Sequence, residues 1–320
     1  VPSISTEAGQ NSALFSGNFK QLMLTHHSAA TPPTYPLRND KGKVQKTLQD
    51  NAALKQKIDG MNLAKIEFFQ FQTQDGVDLN GIMVKPADFD ANKKYPVILY
   101  QYSGPGSQQV LDSWYAGNCS AALLERYMAQ EGFVSVIVDG RGTGGRGAEF
   151  EKQTYLKLGQ LESHDQVVTA IYLSKLPWVD AKHIGIWGWS FGGFNTLMSM
   201  SEGRPVFYAG VAVAPPTSWR YYDTVYTERF MRTPKENQEG YDCSPITRAK
   251  NLSGSLLIIH GLADDNVHFR NVAEYTEALV HADKDFRQLT YTNRNHSIYG
   301  GNTRNHLFRQ LINHFKDSMK

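Results

Sequence analysis

The chain has 320 residues, with 33 basic against 31 acidic side chains and a formal net charge of +2, so nothing in its electrostatics argues for a nucleic-acid partner. Hydrophobic residues make up 41% and aromatic residues 12%, a globular composition, and no apolar run approaches the roughly 20 residues that a membrane span needs. Cys119 and Cys243 lie far apart in sequence and argue for neither a disulfide framework nor a CxxC metal pair; both are read as unpaired, and no metal or other cofactor is expected.

The first residues, "VPSISTEAGQ", lack a basic stretch followed by an apolar one, so no targeting signal is read there. Residues 1–60 contain short strand-like runs, "SALFSGNFKQLMLTHHS", "TYPLRND" and "KVQKTLQD", separated by Gly, Pro, Asn and Asp. They read as an all-β segment with too few strands to bury both faces, part of a larger β domain. Residues 61–320 read as a second domain. "KIEFFQFQTQDGVDLNGIMVKP" is predicted as two strands around an Asp75-Gly76 hairpin turn. The runs "YPVILYQY", "FVSVIVDG", "HIGIWGW", "YAGVAVAP", "SLLIIHG" and "FRQLTYT" follow, most of them separated by helical stretches such as "HDQVVTAIYLSKL". Apolar strands alternating with helices predict an α/β fold with a mostly parallel, doubly wound sheet.

Within that frame "GWSFGG" sits where a strand ends and a helix begins, with Gly188 and Gly192 two residues either side of Ser190. A sharp strand-to-helix elbow needs small residues at both places and lifts the serine hydroxyl to the sheet's C-terminal edge. The plainer reading, a helix-capping serine, is outweighed by the strand, elbow and helix occurring in order. An acid and a base are then expected on loops after later strands. "LADDNVHF" offers Asp264 or Asp265, and "NRNHSIYG" offers His296. His260, which closes an apolar strand, is read as a packed histidine, and the pair His26 and His27 is assigned no metal. For the oxyanion of an acyl transfer, the Phe191 backbone N–H is one donor; Tyr102, before a Ser-Gly-Pro-Gly turn, reads either as a packed strand tyrosine or as the second donor.

Trp219, Tyr222 and Tyr226 stand at i, i+3 and i+7 and on a helix would form one aromatic face, either core or pocket wall. "GRGTGGRG" carries G-x-G-x-x-G after a strand, a superficial dinucleotide fingerprint. Several strands precede it, so Gly140–Gly147 is read as a loop near the active edge, with Arg141 structural.

The combination "YSGPGSQ", "DGRGTGGRG", "GWSFGG", "APPTSWRYYDTVYTERFM" and "HGLADDNVHF" resembles the dipeptidyl peptidase IV group of the prolyl oligopeptidase family of serine peptidases. The resemblance implies an α/β-hydrolase fold preceded by the end of a β-propeller. It implies Ser190, Asp264 and His296 as a triad, choosing the first of the two aspartates, and Tyr102 with Phe191 as the oxyanion hole. It places Phe191, Trp219, Tyr222, Tyr226 and Val267 around a proline pocket, with Pro216 standing where relatives often carry valine, and Asn266 on the carbonyl of the preceding residue.

The implied activity is release of X-Pro or X-Ala dipeptides from peptide N-termini through an acyl-enzyme. Alternatives are a prolyl tripeptidyl aminopeptidase, another prolyl-specific peptidase of the family, or a carboxylesterase on the same fold. The implied partners are peptides with proline near the N-terminus, a second copy in a homodimer, and the remainder of the propeller, which would complete the substrate site. The implied location is periplasmic, cell-surface or secreted.

Overall fold

The computed structural model describes residues 4–319. Its first unit is a four-stranded antiparallel meander, β1 (Gln10–Phe15), β2 (Gln21–Ser28), β3 (Thr31–Asn39) and β4 (Val44–Gln49), paired in chain order. Four such strands are what one blade of a β-propeller contains. Leu22 and Leu24 are buried, whereas Leu14, Phe15, Phe19, Val44 and Leu48 remain exposed.

The all-β reading of residues 1–60 needs one correction: residues Ala52–Asp59 form a helix. The segment "AALKQKID" consists mostly of good helix formers, and Lys55 pairs with Asp59 one turn on. None of its residues is buried, so no apolar stripe announces it.

The second unit is built on an eight-stranded sheet: β5 (Ile66–Gln72), β6 (Asp78–Val84), β7 (Tyr95–Tyr100), β8 (Val134–Asp139), β9 (Val179–Trp189), β10 (Ala209–Val213), β11 (Ser255–Gly261) and β12 (Arg287–Tyr291). The spatial order is β12-β11-β10-β9-β7-β8-β6-β5. The six strands from β12 to β8 are parallel, while β6 runs antiparallel to β8 and β5 antiparallel to β6. The Asp75-Gly76 turn joins that hairpin, with Gly76 at φ 81°.

Alternation along each strand feeds two cores. Val97, Leu99, Val136, Ile186 and Ile258 pack on one face, while Ile98, Ile137, Trp187, Val211 and Ile259 pack on the other. Helices cover both faces, among them Gln160–Ser174 and Phe191–Met200 against the first core and Thr303–Ser318 against the second. This is the α/β-hydrolase fold. Strand order reverses around β7, so the C-terminal ends of β7 and β9 open a crevice of the kind that gathers ligands in such sheets.

Candidate active site

Ser190 occupies the elbow between β9 and the helix Phe191–Met200, with φ 59° and ψ −120°. A non-glycine residue with such angles is strained and persists only where the surroundings hold it. They do: Ser190 N–H donates to Val213 O at 2.8 Å and Ser190 O accepts from Phe194 N–H at 3.0 Å. A Cβ at Gly188 would collide with the Gly192 carbonyl, and one at Gly192 with the Gln101 carbonyl, so the close passage of helix past strand requires both glycines.

Gln101 locks the end of β7 to this elbow. Its Nε2 donates to Gly192 O (2.7 Å) and Thr196 Oγ1 (3.1 Å), and its Oε1 accepts from Ser103 Oγ (2.9 Å) and Asn195 Nδ2 (3.1 Å). Tyr102 follows directly, its ring 6.0 Å from that of Phe191. Burial pushes its phenol above the ordinary value, an effect that a hydrogen bond to the Ser190 side chain partly offsets. The hydroxyl therefore stays a donor beside Ser190. The free amides at the start of the Phe191–Met200 helix add their partial positive charge to the same edge.

The two later loops meet on the other side. Asp264, 3% exposed, follows β11, and His296 follows β12. His296 Nδ1 donates to Asp264 Oδ2 at 2.8 Å. Asp264 Oδ1 accepts the backbone N–H of Asn266 (3.0 Å) and Val267 (2.8 Å). Burial opposes ionisation of Asp264, but the hydrogen bonds from His260, His296 and the Val267 amide outweigh it and hold the carboxyl well below the usual range. Asp265, the alternative acid, is exposed.

The loop carrying His296 is tied down at three successive carbonyls. The Trp189 indole N–H donates to His296 O (3.0 Å), and Arg304 Nε donates to Ser297 O (2.8 Å) and Ile298 O (3.2 Å). The Arg304 guanidinium lies 4.6 Å from the Trp189 ring centre, so the two anchors brace each other. Ile298, fully buried, is held at φ 43°, a conformation that a β-branched residue rarely takes.

The aromatic residues also converge, but not as one helical face. Trp219–Tyr221 is a 3₁₀ turn, Tyr222 is extended (φ −109°, ψ 164°), and Asp223 caps a separate helix, Thr224–Met231, by accepting from Tyr226 N–H. The i, i+3, i+7 spacing overlooked this break because Asp223 is a strong N-cap and restarts the helix. The three rings still cluster: Trp219 stacks on Tyr226 at 5.9 Å, and Tyr222 meets them edge-on at 5.9 and 5.4 Å. Phe191 joins at 5.5 Å from Trp219. Trp219, Phe191 and Val267 are buried, while Tyr222 and Tyr226 are partly open. Tyr222 hydroxyl donates to Asn266 Oδ1 at 2.8 Å, linking this cluster to the Asp264 loop. Pro216 lies buried on the segment between β10 and Trp219.

The glycine-rich loop 140–147 braces Tyr102's loop. Gly106 N–H donates to Gly142 O (3.0 Å), Gly144 N–H donates to Ser107 O (2.8 Å), and Asp139 accepts from the Gln109 and Val110 amides. Among the described residues no group of three His, Cys, Asp or Glu side chains is arranged to hold a metal, and no helix is long and apolar enough to cross a membrane. Cys119 and Cys243 are free.

The prolyl oligopeptidase family profile matches residues 121–320, more than half of the chain. This chain belongs to that family. Among family relatives, the "Probable dipeptidyl peptidase 4" of Aspergillus flavus is 37% identical over 317 residues, covering 96% of this chain and 40% of the relative. The dipeptidyl peptidase 4 of Arthroderma otae is 36% identical over 95% of this chain and 40% of its own length. The crystal structure of Porphyromonas gingivalis dipeptidyl peptidase 4 matches with a TM-score of 0.94 at 49% identity, over 98% of this chain and 44% of that one. The chain thus spans about two fifths of the length of the relatives it matches.

Three residues that shape the site carry no signal in the sequence. Gln101, Trp189 and Arg304 act through partners distant in sequence, which leave no motif. His260 did carry a signal, its i, i+4 spacing to Asp264 in "HGLAD", but a strand-ending histidine also reads as core.

Proposed function

We propose that this chain is the catalytic part of a serine dipeptidyl peptidase that cleaves after proline, or alanine, at the second position of a peptide. The observation that carries the reading is the 2.8 Å bond from His296 Nδ1 to buried Asp264, taken with the strained elbow that carries Ser190.

In this reading Asp264 keeps the proton on Nδ1 and leaves Nε2 as the base. His296 Nε2 takes the Ser190 proton as Oγ attacks the scissile carbonyl. The Tyr102 hydroxyl and Phe191 N–H receive the oxyanion. The proton on Nε2 then passes to the leaving amine, giving an ester between the dipeptide and Ser190, and water releases the dipeptide by the same steps. The flat proline ring suits walls formed by Phe191, Trp219, Tyr222 and Tyr226, and Pro216 and Val267 are assigned to the same pocket by the family resemblance. Asn266, oriented by Tyr222, holds the preceding carbonyl.

We further propose that the acidic groups holding the substrate ammonium lie in propeller outside these residues, that the full protein is a homodimer, and that it works outside the cytoplasm. The test is labelling by a fluorophosphonate, which should vanish in Ser190→Ala and persist in Ser218→Ala. Tyr226→Ala should damage X-Pro turnover more than turnover of a short acyl ester; equal losses would make Tyr226 core. Ester hydrolysis without X-Pro cleavage by the full-length protein would replace the peptidase reading with an esterase.

A further inference from the structure

The Asp264 carboxylate has a partner that the triad does not require. His260, at the penultimate position of β11 and fully buried, places Nε2 2.8 Å from Val267 O and 3.3 Å from Asp264 Oδ2. A carbonyl only accepts, so Nε2 carries a proton. That proton is shared between Val267 O and the same carboxylate oxygen that receives His296. His260 Nδ1 is sealed from solvent without a partner, and a proton there would be a buried donor with no acceptor. Packing therefore favours the tautomer that aims N–H at Asp264, and the edge of the Phe269 ring, 5.7 Å away, holds the imidazole in place.

We infer that His260 is a positioning residue for the proposed reaction, fixing both the place and the basicity of Asp264; the inference rests on the triad reading above. With His260, the carboxylate receives two donors on each oxygen: Asn266 and Val267 amides on Oδ1, His296 and His260 on Oδ2. Each donor spreads the negative charge and weakens its pull on the His296 proton. The Val267 bridge adds rigidity, since one backbone unit donates to Oδ1 and accepts from His260. The titratable groups facing Asp264 are His260 from β11, His296 from the loop after β12, and Tyr222, whose hydroxyl is engaged by Asn266. Without the His260 donor, Asp264 becomes the stronger base and His296 holds its proton to higher pH.

The experiment is the pH dependence of the fluorophosphonate labelling rate of Ser190, which needs no peptide-binding groups beyond this chain. His260→Phe keeps a ring against Phe269 and removes the donor; its acidic limb should move up by about half a unit. His260→Gln, whose amide N–H can reach Asp264, should keep the wild-type limb, and it serves as the readout if the Phe variant does not fold. A Phe limb superimposed on the wild-type limb, or a Gln limb displaced as far as that of Phe, overturns the inference while leaving the triad intact. Absence of Ser190 labelling in the wild type would instead overturn the triad reading itself.

Discussion

Asp139 and Asp264 each sit at the C-terminal edge of the same sheet, 6% and 3% exposed, yet their carboxyl groups behave in opposite ways. Asp139 ends β8 and accepts backbone amides: the Gln109 N–H lies 3.1 and 2.9 Å from its two oxygens and the Val110 N–H 2.7 Å from Oδ2. Burial pushes it up to about 6 despite those amides. Asp264 also takes two amides but adds two imidazoles, and is held down. At Asp139 two backbone amides do not offset the burial, whereas at Asp264 the amides and two imidazoles together do. One aspartate fastens the Tyr102 loop, and the other supplies a negative charge to the histidine.

The sharpest way to break this contrast is to neutralise each in turn. Asp264→Asn should lower the Ser190 labelling rate by about 10⁴-fold, because an amide oriented toward the imidazole favours the wrong tautomer. Asp139→Asn should have a far smaller effect on the same rate; comparable losses would erase the distinction.

Asp139 should show itself in stability instead. Its folded value lies above that of the unfolded chain, so its contribution is fully present below about pH 4 and is lost as pH rises through about 6. The stability of wild type relative to Asp139→Asn, from urea unfolding, should therefore fall by up to about 3 kcal/mol between pH 4 and pH 7. The lowered Asp264 contributes with the opposite sign, losing its stabilisation as acid protonates it.

A smaller effect tests the delivery of the imidazole rather than the carboxylate. Arg304→Met releases the carbonyls of Ser297 and Ile298, leaving of the three carbonyl anchors the Trp189 bond to His296 O. Turnover of an ester substrate should drop about tenfold in kcat with little change in KM, as expected when a reacting group loses its alignment. A rise in KM alone would place Arg304 in substrate binding.

These pairs also mark how far the sequence can be read. The elbow and the parallel strands are local or periodic features, each legible because one residue type is forced at one place: glycine at 188 and 192, apolar runs in the strands. The helix Ala52–Asp59 was illegible because it buries nothing. The spacing of the aromatic stripe suggests one helical face because spacing cannot register a cap at Asp223 that restarts the turn. Of the two imidazoles that distinguish Asp264 from Asp139, His260 is local, four residues before it, whereas His296 arrives from the loop after β12, a pairing that the neighbours of Asp264 in sequence do not announce.

Arg141 links parts of the molecule that the chain keeps well apart. Its guanidinium donates to Asp165 on the helix Gln160–Ser174, through Nε at 3.1 Å and Nη2 at 2.6 Å, and through Nη1 to Asp75 in the β5–β6 turn at 2.7 Å. The antiparallel hairpin at the sheet's margin is thereby riveted to a helix over the parallel body, where a margin would ordinarily fray first. Amide hydrogen exchange in β6 should accordingly follow the slow rate of that helix, making the hairpin and the sheet one cooperative opening unit.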